Sequence, residues 1–188
     1  MLQDIKIGIN QPYLFPYQGY FDLIAAVDKF VVLDDAKYMK AHWVNRNYFP
    51  GLFTFQLKKH SDYAQIRECY FFDIEDDKRR FRRKFRLKAD KYLDLLFQED
   101  NLAVNNTRTL EMICRDLGVT TPFFYASEIP HGKFIHGILD IVRALDGNVY
   151  VNLPGGKFLY NQNQFGEIKL EFIETVIGPS VLCEICET

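Results

Sequence analysis

Two prolines four residues apart, Pro12 and Pro16, constrain the start of this chain more than any other feature. Neither carries an amide hydrogen, and each disfavours a helical predecessor, so the chain up to Tyr17 cannot be helix or inner ladder. Before them Ile5, Ile7 and Ile9 alternate as a short strand. After them Leu23, Ile24 and Val27 mark an apolar helix, and Phe30-Val31-Val32-Leu33 reads as a buried strand ending in Asp34-Asp35. The unit is strand, stiff loop, helix, strand. A loop of this kind lies where α/β sheets bind ligands, outside the carboxyl ends of strands. That makes Asn10, Gln11, Tyr13 and Tyr20 candidate ligand-binding residues.

Further apolar segments extend the pattern. Leu52–Leu57, Ile66–Phe72, Phe123–Ile129, Val149–Asn152 and Ile168–Phe172 read as strands. Leu110, Ile113, Cys114 and Leu117 predict a helix that Asn106 could cap and Gly118 ends. Ile135, Ile138, Leu139, Val142 and Leu145 predict another, stopped by Gly147. Apolar runs separated by amphipathic helices point to an α/β fold with a mainly parallel central sheet covered by helices. A chain of 188 residues is expected to form one domain, spanning 1–188.

Lys78 to Lys88 carries eight basic residues in eleven, the one segment that suggests nucleic acid. Phe81, Phe85, Ala89, Tyr92 and Leu96 recur at helical spacing within and beyond it. The expectation is a helix with those residues buried and the charges outward, helped by Glu75, Asp76 and Asp77 at its amino end. With a net charge of −2, the chain has no global attraction for nucleic acid or an anionic membrane, and neither is an expected partner. No apolar run approaches the roughly 20 residues of a membrane span, and no secretory leader precedes the first strand, so a cytoplasmic location is expected. Four cysteines do not make a disulfide framework; Cys69 and Cys114 read as core, and Cys183/Cys186 as one turn of semi-apolar helix.

His42-Trp43-Val44-Asn45-Arg46-Asn47 contains the only tryptophan of the chain. It is either a loop plugged by Trp43, with Asn45 and Asn47 satisfying turns, or a ligand-facing loop. In the second reading Arg46 binds an anion while Asn45 and Asn47 fix hydroxyls. Pro154-Gly155-Gly156-Lys157 follows a strand; Gly155, Gly156 and Lys157 could cradle a phosphate, or simply turn the chain.

Asn10-Gln11-Pro12 with Pro16, Gly19-Tyr20-Phe21 and Asp34-Asp35, together with His42-Trp43-Val44-Asn45-Arg46-Asn47, resembles the WbqC-like protein family over about residues 5–165. Members are bacterial proteins often encoded in O-antigen and other surface-polysaccharide clusters, so the resemblance implies a pathway more firmly than a reaction. It implies basic residues at Lys58-Lys59 and a glycine-rich loop at Gly155-Gly156. It also implies an arginine where this chain has Gly137, a Trp and His near the start of the basic helix, and a longer apolar tail. This chain has none of the three.

No zinc spacing, Walker loop or dinucleotide fingerprint is present, so no metal site is expected and no cofactor is designated. His42 is the candidate general acid/base, with His131 second. Asp34 is the candidate catalytic carboxylate; with Asp35 it could meet a substrate hydroxyl or a divalent ion, or simply form a turn. The opening unit is similar to that of nucleotidylyltransferase-like folds, but Tyr17-Gln18-Gly19-Tyr20 stands where those have His-x-Gly-His. The functional expectation is a transferase-type enzyme of surface-polysaccharide precursor synthesis, acting on a phosphorylated or nucleotide-linked small molecule. The alternative is a non-catalytic ligand-binding or accessory protein of that pathway.

Overall fold

The computed structural model describes residues 4–186. In chain order its strands are β1 (Lys6–Asn10), β2 (Lys29–Val32), β3 (Arg46–Tyr48), β4 (Leu52–Thr54), β5 (Phe123–Tyr125), β6 (Val149–Asn152) and β7 (Lys169–Phe172). Its α-helices are α1 (Gln18–Ala25), α2 (Ile74–Phe85), α3 (Asp90–Leu93), α4 (Leu102–Asp116), α5 (Phe134–Ala144) and α6 (Leu182–Ile185). The chain divides into two compact units. The first holds the start up to Asn10, Gly19–Leu33 and Val119–Ile177; the second holds Gln11–Gln18, Asp34–Gly118 and the end from Gly178.

The first unit is the α/β sheet that the apolar runs predict. Five strands lie in the order β5-β2-β1-β6-β7, and every neighbouring pair is parallel. β1, β2 and β6 are inner strands, which explains their continuous apolar character. Ile7, Ile9, Val31 and Tyr150 pack with Leu139, Ile141 and Val142 of α5 and with Phe165. Phe165 stacks on Tyr150 at 5.4 Å between centroids. The predicted strand at Phe123–Ile129 stops at Tyr125, and Ala126–Glu128 is a single 3-10 turn. Gly147 is required at the end of α5: a Cβ there would stand 2.4 Å from Ile7 Cγ1. Gly137 is equally constrained, since a Cβ would meet the carbonyl oxygen of Gly132 at 2.6 Å. An arginine at this position would therefore need the 131–133 turn to move.

The second unit is built around aromatic rings. β3 and β4 form an antiparallel hairpin turned by Phe49-Pro50-Gly51. Phe49, Phe53 and Phe55 from this hairpin and its extension meet Phe81 and Phe85 of α2 edge-on or tilted, at centroid distances of 4.7–6.1 Å. Two strand expectations are corrected here. Leu52–Leu57 keeps strand geometry only to Thr54, with an isolated bridge at Leu57. Ile66–Phe72 begins as a 3-10 turn, Ile66–Glu68, and its remaining pairing is two isolated bridges through Tyr70 and Phe71.

The basic segment is helical, as the spacing predicts, but its helix starts earlier and ends sooner. Asp73 caps α2 by accepting from Asp76 N–H at 2.9 Å, and Arg86 ends it in the left-handed region at φ 56°. The predicted apolar face survives the break: Phe81, Phe85, Ala89, Tyr92 and Leu96 are all buried, with α3 supplying the later ones. Not all charges point outward. Lys78 is buried and paired with Glu75 at 2.8 Å. Because a Cβ in the left-handed region costs about 1–2 kcal/mol and Arg86 is exposed, Arg86→Gly is expected to raise stability by roughly 0.5–1 kcal/mol. A urea titration with an unchanged slope checks this; a loss of stability would mean that the Arg86 side chain contributes more than its backbone costs.

Candidate functional site

The residues singled out in the sequence fall in both units. Asn10, Tyr20, Gly155, Gly156 and Lys157 belong to the sheet unit. Asn10 ends β1, and its carbonyl accepts from Leu33 N–H at 2.8 Å. Tyr20 is fully enclosed, with its ring edge-on to Phe30 at 5.7 Å and to Phe21 at 6.1 Å. It is a core residue here, without an exposed face on which a ligand ring could stack. Gly155 and Gly156 lie in a short 3-10 segment, Pro154–Phe158, rather than an open phosphate loop. A Cβ at Gly156 would stand 2.7 Å from Asn152 Nδ2, so packing accounts for that glycine. Lys157 is exposed, with its ammonium 5.9 Å from the Phe172 ring centroid.

Gln11, Tyr13, Asp34, His42, Asn45, Arg46 and Asn47 belong to the second unit, and there the proline loop and the tryptophan loop are tied together. Leu14 N–H donates to the Trp43 carbonyl at 2.9 Å. The Asn47 amide donates to the carbonyls of Leu14 and Phe15 at 3.0 and 2.7 Å. Asn106 donates to the carbonyls of Pro12 and Val44 at 2.7 and 2.6 Å. The prolines explain this dependence on side chains. A loop that can form neither helix nor ladder leaves its buried carbonyls to other donors, and an unmet one costs about 1–3 kcal/mol. Phe15 is held at φ 47° with its ring buried against Phe49 and Phe55. The surrounding contacts hold a backbone conformation that a non-glycine residue rarely adopts.

Two of the amides expected to read ligand hydroxyls are thus committed to the fold. Asn45 accepts from the Tyr38 hydroxyl at 3.0 Å and donates to the Phe55 carbonyl at 2.8 Å, while Asn47 clamps the proline loop. Asn106 is not a helix cap. Asn101 caps α4 by accepting from Val104 N–H at 2.9 Å, and Asn106 sits a turn inside, fully buried. Its role as clamp was the feature sequence reasoning missed. The available signal was two adjacent asparagines, Asn105 and Asn106, on the apolar side of a helix, where burial demands a partner for each amide.

Between the clamped loops, Arg46 and Trp43 form the exposed chemistry. Trp43 is 41% exposed rather than a core plug, and the Arg46 guanidinium lies 5.5 Å from its ring centroid. Arg46 Nε is buried and makes no hydrogen bond among the described residues. Burial raises the pKa of the Tyr38 phenol; Cys69 raises it further and the Arg46 charge opposes. Burial likewise raises that of Tyr13. His42, one residue before Trp43, is half-buried. Asp34 is 4% exposed, and its carbonyl accepts from Arg67 N–H at 3.0 Å. Among the described residues no three His, Cys, Asp or Glu side chains stand together as metal ligands, and no helix is long and apolar enough to cross a membrane.

The model of the WbqC-like protein family matches residues 11–180, which takes in both clamped loops, the hairpin and α2 to α5. The chain belongs to the WbqC-like protein family. The match also extends past the region of clear resemblance, into the stretch after β7. Uncharacterized protein Rv1507c of Mycobacterium tuberculosis is 29% identical over 184 residues, covering 88% of this chain and 79% of that protein. No solved structure matches.

Proposed function

We propose that this member of the WbqC-like family binds a phosphorylated or nucleotide-linked small molecule at the clamped loops. In this reading it is a cytoplasmic enzyme of surface-polysaccharide precursor synthesis, catalysing a transferase-type step. The observation that carries the reading is Arg46, a guanidinium on an exposed tryptophan with a buried Nε that no described group satisfies. An orphaned charged donor is costly to bury, so an anionic partner that restores its hydrogen bond would be favoured. The Trp43 face offers a stacking surface for a planar ring beside that charge. His42 stands next in the chain and would take the proton released by an acceptor hydroxyl or amine; Asp34, Gln11 and Tyr13 are the further candidates.

The test is calorimetric titration with a panel of nucleoside diphosphate sugars, after native mass spectrometry of the purified protein for a retained ligand. Arg46→Ala is expected to weaken binding by roughly ten- to a hundredfold, since a charged hydrogen bond contributes about 1.5–3 kcal/mol. Stability should change by no more than about 1 kcal/mol, because the fold loses the cation–π contact with Trp43 but no hydrogen bond of the buried Nε. Unchanged affinity in Arg46→Ala would reject the site. Binding without turnover, in the wild type and in His42→Ala alike, would make the protein the accessory binder instead.

A further inference from the structure

Beside the β3–β4 hairpin, the second unit has a depression of about 390 Å³ lined by Leu52, Phe53, Thr54, Arg80, Arg83 and Lys84. We infer that it is a binding site for a phosphate group carried by a small molecule, with Arg83, Lys84, Arg80 and the edge of β4 as its donors. The inference does not depend on the reading of the Arg46 loops.

The hairpin register directs a backbone donor into this depression. Phe49 N–H donates to the Gly51 carbonyl at 2.9 Å, and Phe55 N–H to the Asn45 carbonyl at 2.8 Å. With Asn47 opposite Phe53, the pairs 45/55, 47/53 and 49/51 exchange the ladder bonds. Bonded and non-bonded pairs alternate in an antiparallel ladder, so the amides of Leu52, Thr54 and Gln56 turn away from β3 toward the free edge of β4. Two groups on that edge are taken by α2. The Leu52 carbonyl accepts from Lys84 Nζ at 2.8 Å, and Gln56 N–H donates to Asp77 Oδ2 at 2.6 Å. Thr54, between them, is exposed and lines the depression, with its N–H on the outward edge of the ladder.

Two of the three cations around Thr54 are positioned in advance. Arg80 is held by Asp77 at 2.5 Å and lies 5.3 Å from the Phe53 ring centroid. Lys84 is fixed by the Leu52 carbonyl. Arg83 has no ion pair among the described residues, and the sequence shows why. The residues three and four positions away are Arg79, Arg80, Arg86 and Leu87, with no acid among them. Of the nearest carboxylates in the chain, Asp77 is fully buried and already satisfied by Arg80 and Gln56, and Asp90 is paired with Arg82. With Arg80 and Lys84 already fixed, the concavity favours a compact dianion, because only Arg83 has much side-chain freedom to lose on binding.

A small phosphorylated ligand fits better than a nucleic acid. A polyanion needs a continuous positive stripe, and the other cations of α2 are neutralised locally. Lys78 pairs with Glu75, Arg79 with Asp76, and Arg82 with Asp90 and Asp94.

The test is a titration of the full chain, ¹⁵N-labelled, with inorganic phosphate and with pyrophosphate at low ionic strength, followed by amide shifts. Saturable shifts centred on Thr54 and the Arg83–Lys84 turn are expected, tighter for pyrophosphate. Arg83→Ala, at an exposed and unpaired position, should fold normally and weaken binding by roughly ten- to a hundredfold. Thr54→Val should weaken it several-fold, and Arg79→Ala, outside the depression, should leave it unchanged. Absence of saturable shifts, or equal affinity in wild type and Arg83→Ala, overturns the inference. So does binding lost in Arg46→Ala and retained in Arg83→Ala, an outcome that would leave the loop reading standing. An affinity for single-stranded DNA that grows with strand length and falls equally in Arg79→Ala and Arg83→Ala would make α2 a polyanion surface and overturn it too.

Discussion

Phe81→Ala is expected to destabilise the second unit by about 4–5 kcal/mol, near the top of the range for deleting a core phenylalanine. The ring is fully buried and meets Phe49 at 4.7 Å, Phe85 at 5.0 Å, Phe53 at 5.4 Å and Phe55 at 6.1 Å. Each edge-on partner adds about 0.5–1.5 kcal/mol beyond area burial. The neighbours cannot close the gap easily. Phe49, Phe53 and Phe55 sit on a hairpin whose spacing is fixed by its ladder, and Phe85 is one helical turn from Phe81 on α2. A domain holds only about 5–15 kcal/mol in total, so this one change should bring unfolding within reach of mild denaturant. Trp43 lies in the same unit, and its fluorescence during urea titration is the readout. Phe81→Leu, which keeps most of the volume, should cost about 1–2 kcal/mol. If both variants lose the same small amount, the rings do not form the packed cluster described above.

That cluster illustrates what the sequence discloses and what it hides. Phe81 and Phe85 could be assigned to a buried helix face because their spacing is local, and the inner strands β1, β2 and β6 announced themselves as apolar runs bounded by loops. The break at Arg86 could not be seen. No glycine or proline marks it, and Ala89, Tyr92 and Leu96 continue the same period into α3 and beyond. Ile66–Phe72 misled for a related reason. Its alternation starts from Ile66, but a 3-10 turn brings Ile66 and Cys69 to the same side, and after the turn Cys69 and Phe71 are the buried residues. The candidate site divides in the same way. That the proline loop and the tryptophan loop matter was readable from residue types that suit no regular element. Which amides would meet a ligand was not, because the carbonyls they satisfy lie 32 to 94 residues away for Asn47 and Asn106. An asparagine that reads a hydroxyl and one that holds a distant loop look alike in sequence. Lys78 shows the same limit for charge: counted as solvated, it is buried beside Glu75.

Asn106 gives the sharper test of the clamped loops, because two substitutions there separate shape from hydrogen bonding. Its side-chain nitrogen serves the buried carbonyls of both Pro12 and Val44. Asn106→Ala removes both bonds from buried carbonyls, an expected loss of about 2–4 kcal/mol. Asn106→Asp preserves the volume but replaces two donors with an acceptor that faces two carbonyl oxygens in a site without solvent exposure. That variant should be worse than alanine, despite its closer shape, because a buried carboxylate with no donor is repelled by both oxygens. Lowering the pH should return part of the loss in Asn106→Asp, since the protonated carboxyl has one hydrogen to give, and should not do so in Asn106→Ala. Ligand affinity should fall in both variants together with stability, because the Asn106 bond to Val44 fixes the loop that carries Trp43 and Arg46. Arg46→Ala, by contrast, should lose affinity alone. An Asn106→Asp protein as stable as wild type at neutral pH would mean that these loops do not depend on the Asn106 donors. The common placement of Trp43 and Arg46 would then need another cause.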